Sequence, residues 1–157
     1  LVLTGTPARG EEVTEEKGIK TNIIYKNMDG EKIDPANLSQ GSNFIAEVTV
    51  TNIGLAGDLT DMSLSQIFPS GWEIINFRLN DINQPFKNST FTYQDIRDDR
   101  VYTYFDLKRA QKKTFYVQLN ASYLGEFYLP AIKCEAMYDN TVYSIQEGMD
   151  VKVVKRQ

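Results

Sequence analysis

Apolar and polar residues alternate along most of this 157-residue chain with the two-residue period of a pleated strand. In NFIAEVTVTN, Phe44, Ala46, Val48 and Val50 share one face, while Glu47, Thr49 and Thr51 share the other. TFYVQLNAS repeats the scheme through Phe115, Val117, Leu119 and Ala121. IKTNIIYKN, VYTYFDL, EFYLPAIKCEA and DVKVV carry the same β-branched and aromatic bias and read as further strands. Turn-forming residues separate these runs at Asp29-Gly30, Gly41-Ser42, Pro69-Ser70-Gly71, Leu124-Gly125 and Glu147-Gly148. GDLTDMSLSQIF fits a helical turn through Leu59, Met62 and Gln66, but Met62 and Leu64 also alternate with polar neighbours. Pro69 stops it after a few residues, which favours a strand. With no convincing helix, the pattern predicts an all-β fold, an antiparallel β-sandwich of about seven or eight short strands.

Residues 1–18 end in the acidic EEVTEEKG and read as a lead-in tail, leaving 19–157 as a single sandwich domain. The chain starts LVLTGTP, with no methionine, basic stretch or apolar leader, so it reads as a piece of a larger precursor without an address of its own.

Composition then removes function classes. The formal charge is −4, and no basic cluster exceeds Lys108-Arg109 with Lys112-Lys113, so no nucleic-acid stripe is expected. No apolar run approaches the ~18 residues of a membrane span, so direct membrane insertion is not expected. The chain has no histidine, which rules out Ser-His-Asp and Cys-His nucleophiles and imidazole metal sites within it. One cysteine, Cys134, allows neither an internal disulfide nor a thiolate zinc site. No glycine pattern cradles a phosphate. Neither a metal nor a cofactor is expected, and catalysis would rest on carboxylates, Tyr, Lys or Ser alone. A non-enzymatic role is the expectation.

The densest charge lies in IRDDR, with Asp95 just before it. A metal site needs oxygens converging on one point, yet Asp98 and Asp99 on an extended chain face opposite ways, and Arg97 and Arg100 repel a cation. The expectation is structural: Asp95, Arg97, Asp98, Asp99 and Arg100 pair with one another and the backbone at a bend entering VYTYFDL. Cys134 alternates in phase with Ile132 and Ala136 and is expected to be buried and unreactive. Trp72 heads a strand after a turn and is expected to pack inside. A sugar-binding platform would instead expose Trp72 or Tyr102, Tyr104, Tyr116 and Tyr128 in a flat row; cross-strand pairing gives the tyrosines the same pattern. Sequons at Asn37, Asn88 and Asn120 match by residue type only. Met137 and Tyr138 follow small Ala136 and precede the turn-forming Asp139-Asn140. They are expected at a strand end, either projecting past the sheet edge toward a neighbour or capping the core.

Several segments, in this order, resemble the last domain of bacterial alpha-2-macroglobulins: LTGTP, FPSGWEI, YQDIRDDRV, LGEFYLPAIKCEAMYDN and EGMDVKV. The likeness covers nearly the whole chain, and the RDDR box and the EAMYD stretch are its most specific parts. It implies a macroglobulin-like or fibronectin-III-like sandwich, with the RDDR box belonging to the scaffold. The functional centre of such proteins is a Cys–Gln thioester, written C-x-E-Q, in a separate helical domain; some members lack it, and in such a parent Met137 and Tyr138 form a plain interdomain contact. Here Cys134 is followed by Glu135-Ala136-Met137, so this chain does not form that bond. The resemblance assigns Met137 and Tyr138 to the pair that shields the thioester from water by docking on the thioester domain of the same parent chain. It further implies proteases as indirect partners, trapped through the parent's bait region, and a periplasmic or cell-envelope location. Where relatives often continue MYD with Pro and then an Arg-Ala pair, this chain has Asn140 and Tyr143-Ser144. A stand-alone adhesin or carbohydrate-binding module on the same fold is the alternative, because a fold does not fix a function.

Overall fold

The structure, a computed structural model, describes residues 12–75 and 86–156. Thirteen strands and no helix lie among the described residues. They are β1 (Glu15–Lys17), β2 (Ile19–Asn27), β3 (Asn37–Ser39), β4 (Asn43–Asn52), β5 (Leu59–Ile67), β6 (Trp72–Ile75) and β7 (Tyr93–Ile96), then β8 (Arg100–Leu107), β9 (Lys112–Ala121), β10 (Gly125–Leu129), β11 (Ile132–Ala136), β12 (Asp139–Gln146) and β13 (Met149–Val154). The count exceeds the seven or eight expected because one expected strand divides into β10 and β11, β12 follows a turn signal and is not among the strands read from the sequence, and β1, β3 and β7 have only three or four residues each. Alternation over so short a span has no statistical weight.

A six-stranded sheet in the order β1-β12-β11-β5-β8-β7 faces a four-stranded sheet, β2-β4-β9-β6, and a three-stranded sheet, β10-β13-β3, completes the layers. All pairings are antiparallel except β13 with β3. The faces read from the sequence are the faces observed. Phe44, Ala46, Val48 and Val50 of β4 are buried, as are Phe115, Val117, Leu119 and Ala121 of β9, its antiparallel neighbour. GDLTDMSLSQIF forms β5, with Met62 and Leu64 inside.

Two apolar clusters hold the layers together. One joins the six- and four-stranded sheets through Ile19, Val48, Val50, Leu64, Phe105, Phe115, Cys134 and Val142. The other joins the four- and three-stranded sheets around Trp72, with Phe44, Val117, Leu119, Leu129, Val151 and Val153. Trp72 meets the edges of Phe44 and Tyr25 at centroid distances of 4.9 and 6.1 Å. Each fully buried Phe, Leu or Val in these clusters stabilises the fold by roughly 1.5–3 kcal/mol.

EFYLPAIKCEA departs from its expected form. It is not one strand but two, β10 and β11, which belong to different sheets. Pro130 lacks the N–H that a ladder needs and stands at the break. The partner segment breaks at Glu147-Gly148, where a Cβ on Gly148 would run into the Leu129 carbonyl and the Tyr128 hydroxyl. The register nevertheless continues through the bend: Leu129 faces Met149 and, three residues on, Ile132 faces Gln146. One long two-stranded ribbon is thus folded over the core and serves two sheets.

Within the lead-in segment, β1 adds to the edge of the six-stranded sheet beside β12. There Tyr143 donates its hydroxyl to Glu15.

Candidate functional site

The ribbon's outer end is the turn between β11 and β12. Ala136 and Asp139 are Cα partners, so the turn consists of Met137 and Tyr138 themselves. The sequence pattern places the turn two residues later, at Asp139-Asn140; those residues instead begin β12. Two-residue hairpin turns normally take Gly, Asn or Asp at positive φ. Among the described residues, the non-glycine positions with positive φ are Asp61 and Ala110, so Met137 and Tyr138 make a turn of the other hand. Such turns splay their strands. Here the ladder steps from Glu135↔Tyr143 directly to Ala136↔Asp139, which leaves Asn140, Thr141 and Val142 opposite no residue of β11.

Local bonds hold this irregular tip. The Met137 amide donates to the Asp61 carbonyl at 3.0 Å. Asp139 accepts from the Thr141 amide and hydroxyl. The Thr141 hydroxyl bond is the main reason the Asp139 carboxyl sits below the usual carboxylate range. The two side chains are left outside: Met137 is 44% exposed and Tyr138 86%. The same end of the sandwich carries the β4–β5 loop, where Leu55 is 83% exposed. That loop is braced by Asn52, whose amide donates to the carbonyls of Gly57 (2.8 Å) and Leu107 (3.1 Å) and whose oxygen accepts from Gly54. Sequence reasoning passes over Leu55 and Asp61, because a lone apolar residue in a loop and an acid in an alternating strand carry no signal of their own.

The charged cluster lies at a different place, the turn between β7 and β8. Arg97 pairs with Asp95 at 3.1 Å, and Arg100 grips both oxygens of Asp99 at 2.9 and 3.0 Å. The Arg97 amide donates to the Arg100 carbonyl, and the Asp99 carbonyl accepts from the Phe68 amide, which ties the turn to the end of β5. Arg100 also reaches the Tyr102 hydroxyl at 3.2 Å, and the Arg97 guanidinium lies 5.9 Å from the Tyr102 ring centre. Arg100 holds the Asp99 carboxyl below its ordinary range. Each pair has one exposed and one half-buried partner, so solvent screens it and the pairs add little stability singly; together they fix one geometry for the bend. Asp98 is exposed and makes no ion pair among the described residues.

Several of the other conspicuous residues are inside or committed. Cys134 is buried, and burial pushes its thiol well up, away from the reactive thiolate. Trp72 is buried, so no platform forms around it. Tyr104 stacks on Tyr93 across the β7–β8 pair at 6.0 Å, the cross-strand arrangement. Asn88 accepts from the Tyr116 amide, and Asn120 donates to Asn43 and to the Gly41 carbonyl.

Residues 18–140 match the family described as the bacterial alpha-2-macroglobulin MG10 domain. The chain belongs to that family. Among curated relatives, alpha-2-macroglobulin of Pasteurella multocida (strain Pm70) is 26% identical over 158 residues, spanning 99% of this chain and 8% of the relative. That of Rickettsia conorii is 29% identical over 144 residues, spanning 88% of this chain and 8% of the relative. Among solved structures, Salmonella alpha-2-macroglobulin reacted with methylamine superposes with a TM-score of 0.81 at 20% identity, covering 96% of this chain and 10% of that one. The native conformation of the Escherichia coli protein gives 0.82 at 16% identity, again over 96% and 10%. At those identities the structural likeness is one of fold. This MG10 domain is therefore a small part of the length of the proteins it matches.

Proposed function

We propose that this domain is a non-catalytic docking module, placed C-terminally in a bacterial alpha-2-macroglobulin-like protease inhibitor of the periplasm or cell envelope. Its Met137–Tyr138 turn packs on the thioester domain of the same parent chain and keeps water and small nucleophiles from the thioester. Proteases are then partners of the parent, through its bait region, and not of this domain.

The observation that carries the reading is the exposure of Met137 and Tyr138, side by side, at a braced hairpin tip. A large aromatic and a thioether left outside the core need a partner surface to leave water. Sulfur and ring together make an adaptable apolar cover, and an acyl thioester survives only where water is kept out. The charged turn at Asp95–Arg100 contributes rigidity to the frame. The test replaces both residues, M137A/Y138A, in the intact parent. Faster inactivation by methylamine and weaker association of this domain with the thioester domain are expected; unchanged values for both would refute the reading.

A further inference from the structure

The Met137–Tyr138 turn has an unfavourable hand and a disrupted ladder, and one of the bonds that hold it comes from outside its own hairpin. The neighbouring strand supplies that bond. Between Leu59↔Leu107 and Met62↔Phe105, β5 carries one extra residue, so Thr60 and Asp61 stand opposite the single Asp106. This is a β-bulge, a device that bends its strand and re-aims the residues beside it. Asp61 takes the left-handed conformation, with φ 54°. Its amide is held by the Asp106 carboxylate at 3.0 Å, and its carbonyl receives the Met137 amide at 3.0 Å. An amide clamped on one side and a carbonyl bonded on the other make Asp61 a bracket between β8 and the turn.

We propose that Asp61 and Asp106 are positioning residues for the Met137–Tyr138 turn: the bulge they form sets where that pair points. Only the consequence for the thioester rests on the docking reading; the positioning itself does not. An aspartate at positive φ is tolerated, glycine is at ease there, and a β-branched residue is not. D61G therefore keeps the bracket, whereas D61V forces the peptide out of it. D106N keeps an acceptor oxygen, whereas D106A removes it.

Amide hydrogen exchange at Met137, followed by NMR in the 157-residue chain, tests the bracket. D61V and D106A are expected to exchange about tenfold faster than wild type, the loss equivalent to a strained left-handed residue. D61G and D106N are expected to stay near wild type. V151A, which loosens the other cluster, serves as the control for general destabilisation. Met137 exchange in D61V that matches wild type or V151A would overturn the proposal. In the full-length parent, D61V and D106A are expected to raise methylamine reactivity, with D61G and D106N close to wild type. If M137A/Y138A raises reactivity while D61V changes neither reactivity nor Met137 exchange, the bracket is refuted and docking stands. If the exchange pattern holds while no variant alters reactivity, docking is refuted and the bracket stands.

Discussion

Gln66 offers the sharpest test of the energetic reasoning. It is fully buried on β5, between Leu64 of one apolar cluster and Phe68 of the other, with Val101 as its partner on β8. Among the described residues, neither its side-chain nitrogen nor its oxygen has a hydrogen-bond partner. A buried amide group left unpaired costs about 1–3 kcal/mol relative to its hydrated state. Methionine has nearly the same length and unbranched shape without the amide, so Gln66→Met removes the penalty at little steric cost. The expected outcome is a stability gain of about 1–3 kcal/mol, with urea midpoints rising at unchanged slope. For a chain of this size each kcal/mol is worth about 2–4 °C in Tm. Gln66→Ala separates polarity from packing, because it removes the amide but leaves a void that destabilises by about 2–4 kcal/mol. If Gln66→Met instead destabilises by more than about 1 kcal/mol, the amide stabilises the native state and the reasoning is refuted.

Asn52 and Asp99 give two further tests. Asn52→Ala strips donors from the Gly57 and Leu107 carbonyls and the acceptor from Gly54, so a loss of roughly 2–3 kcal/mol in urea unfolding is expected; a loss under about 0.5 kcal/mol would show that the β4–β5 loop is held by something else. Asp99 has a depressed folded pKa because Arg100 binds its carboxylate; its contribution is therefore complete above the unfolded value near about 4 and disappears as pH falls through the folded value. Between about pH 5 and about pH 2, urea stability should fall less steeply in D99N than in wild type, and parallel profiles would contradict the pairing.

The long strands were legible because each carries enough alternation to fix its inward face. In β4 and β9, shifting the register by one residue would bury Glu47 or Gln118 and expose Phe44 or Leu119, so only one arrangement is compatible with a core. The pairing of Asp95 with Arg97 and of Asp99 with Arg100 follows from charge close together in the chain, which needs no long-range partner; Asp98, expected to join them, makes no ion pair among the described residues. The Met137–Tyr138 tip was legible as residues and not as geometry. Asp139-Asn140 carries stronger turn chemistry than Met-Tyr, and tertiary contacts overrode that preference.

The sequence by itself determined the class of the fold, the inward faces of its main strands and the absence of histidine chemistry, since these depend on composition and on a two-residue period. Only the tertiary structure decided that one ribbon bends at Pro130 and Gly148 to serve two sheets, and that a bulge on β5 reaches across to Met137. Those features arise from contacts between residues far apart in the chain, Gly148 with Leu129 and Asp61 with Met137. Local pattern cannot encode them, because backbone carbonyls and amides are alike from residue to residue and only the packed fold determines which of them meet.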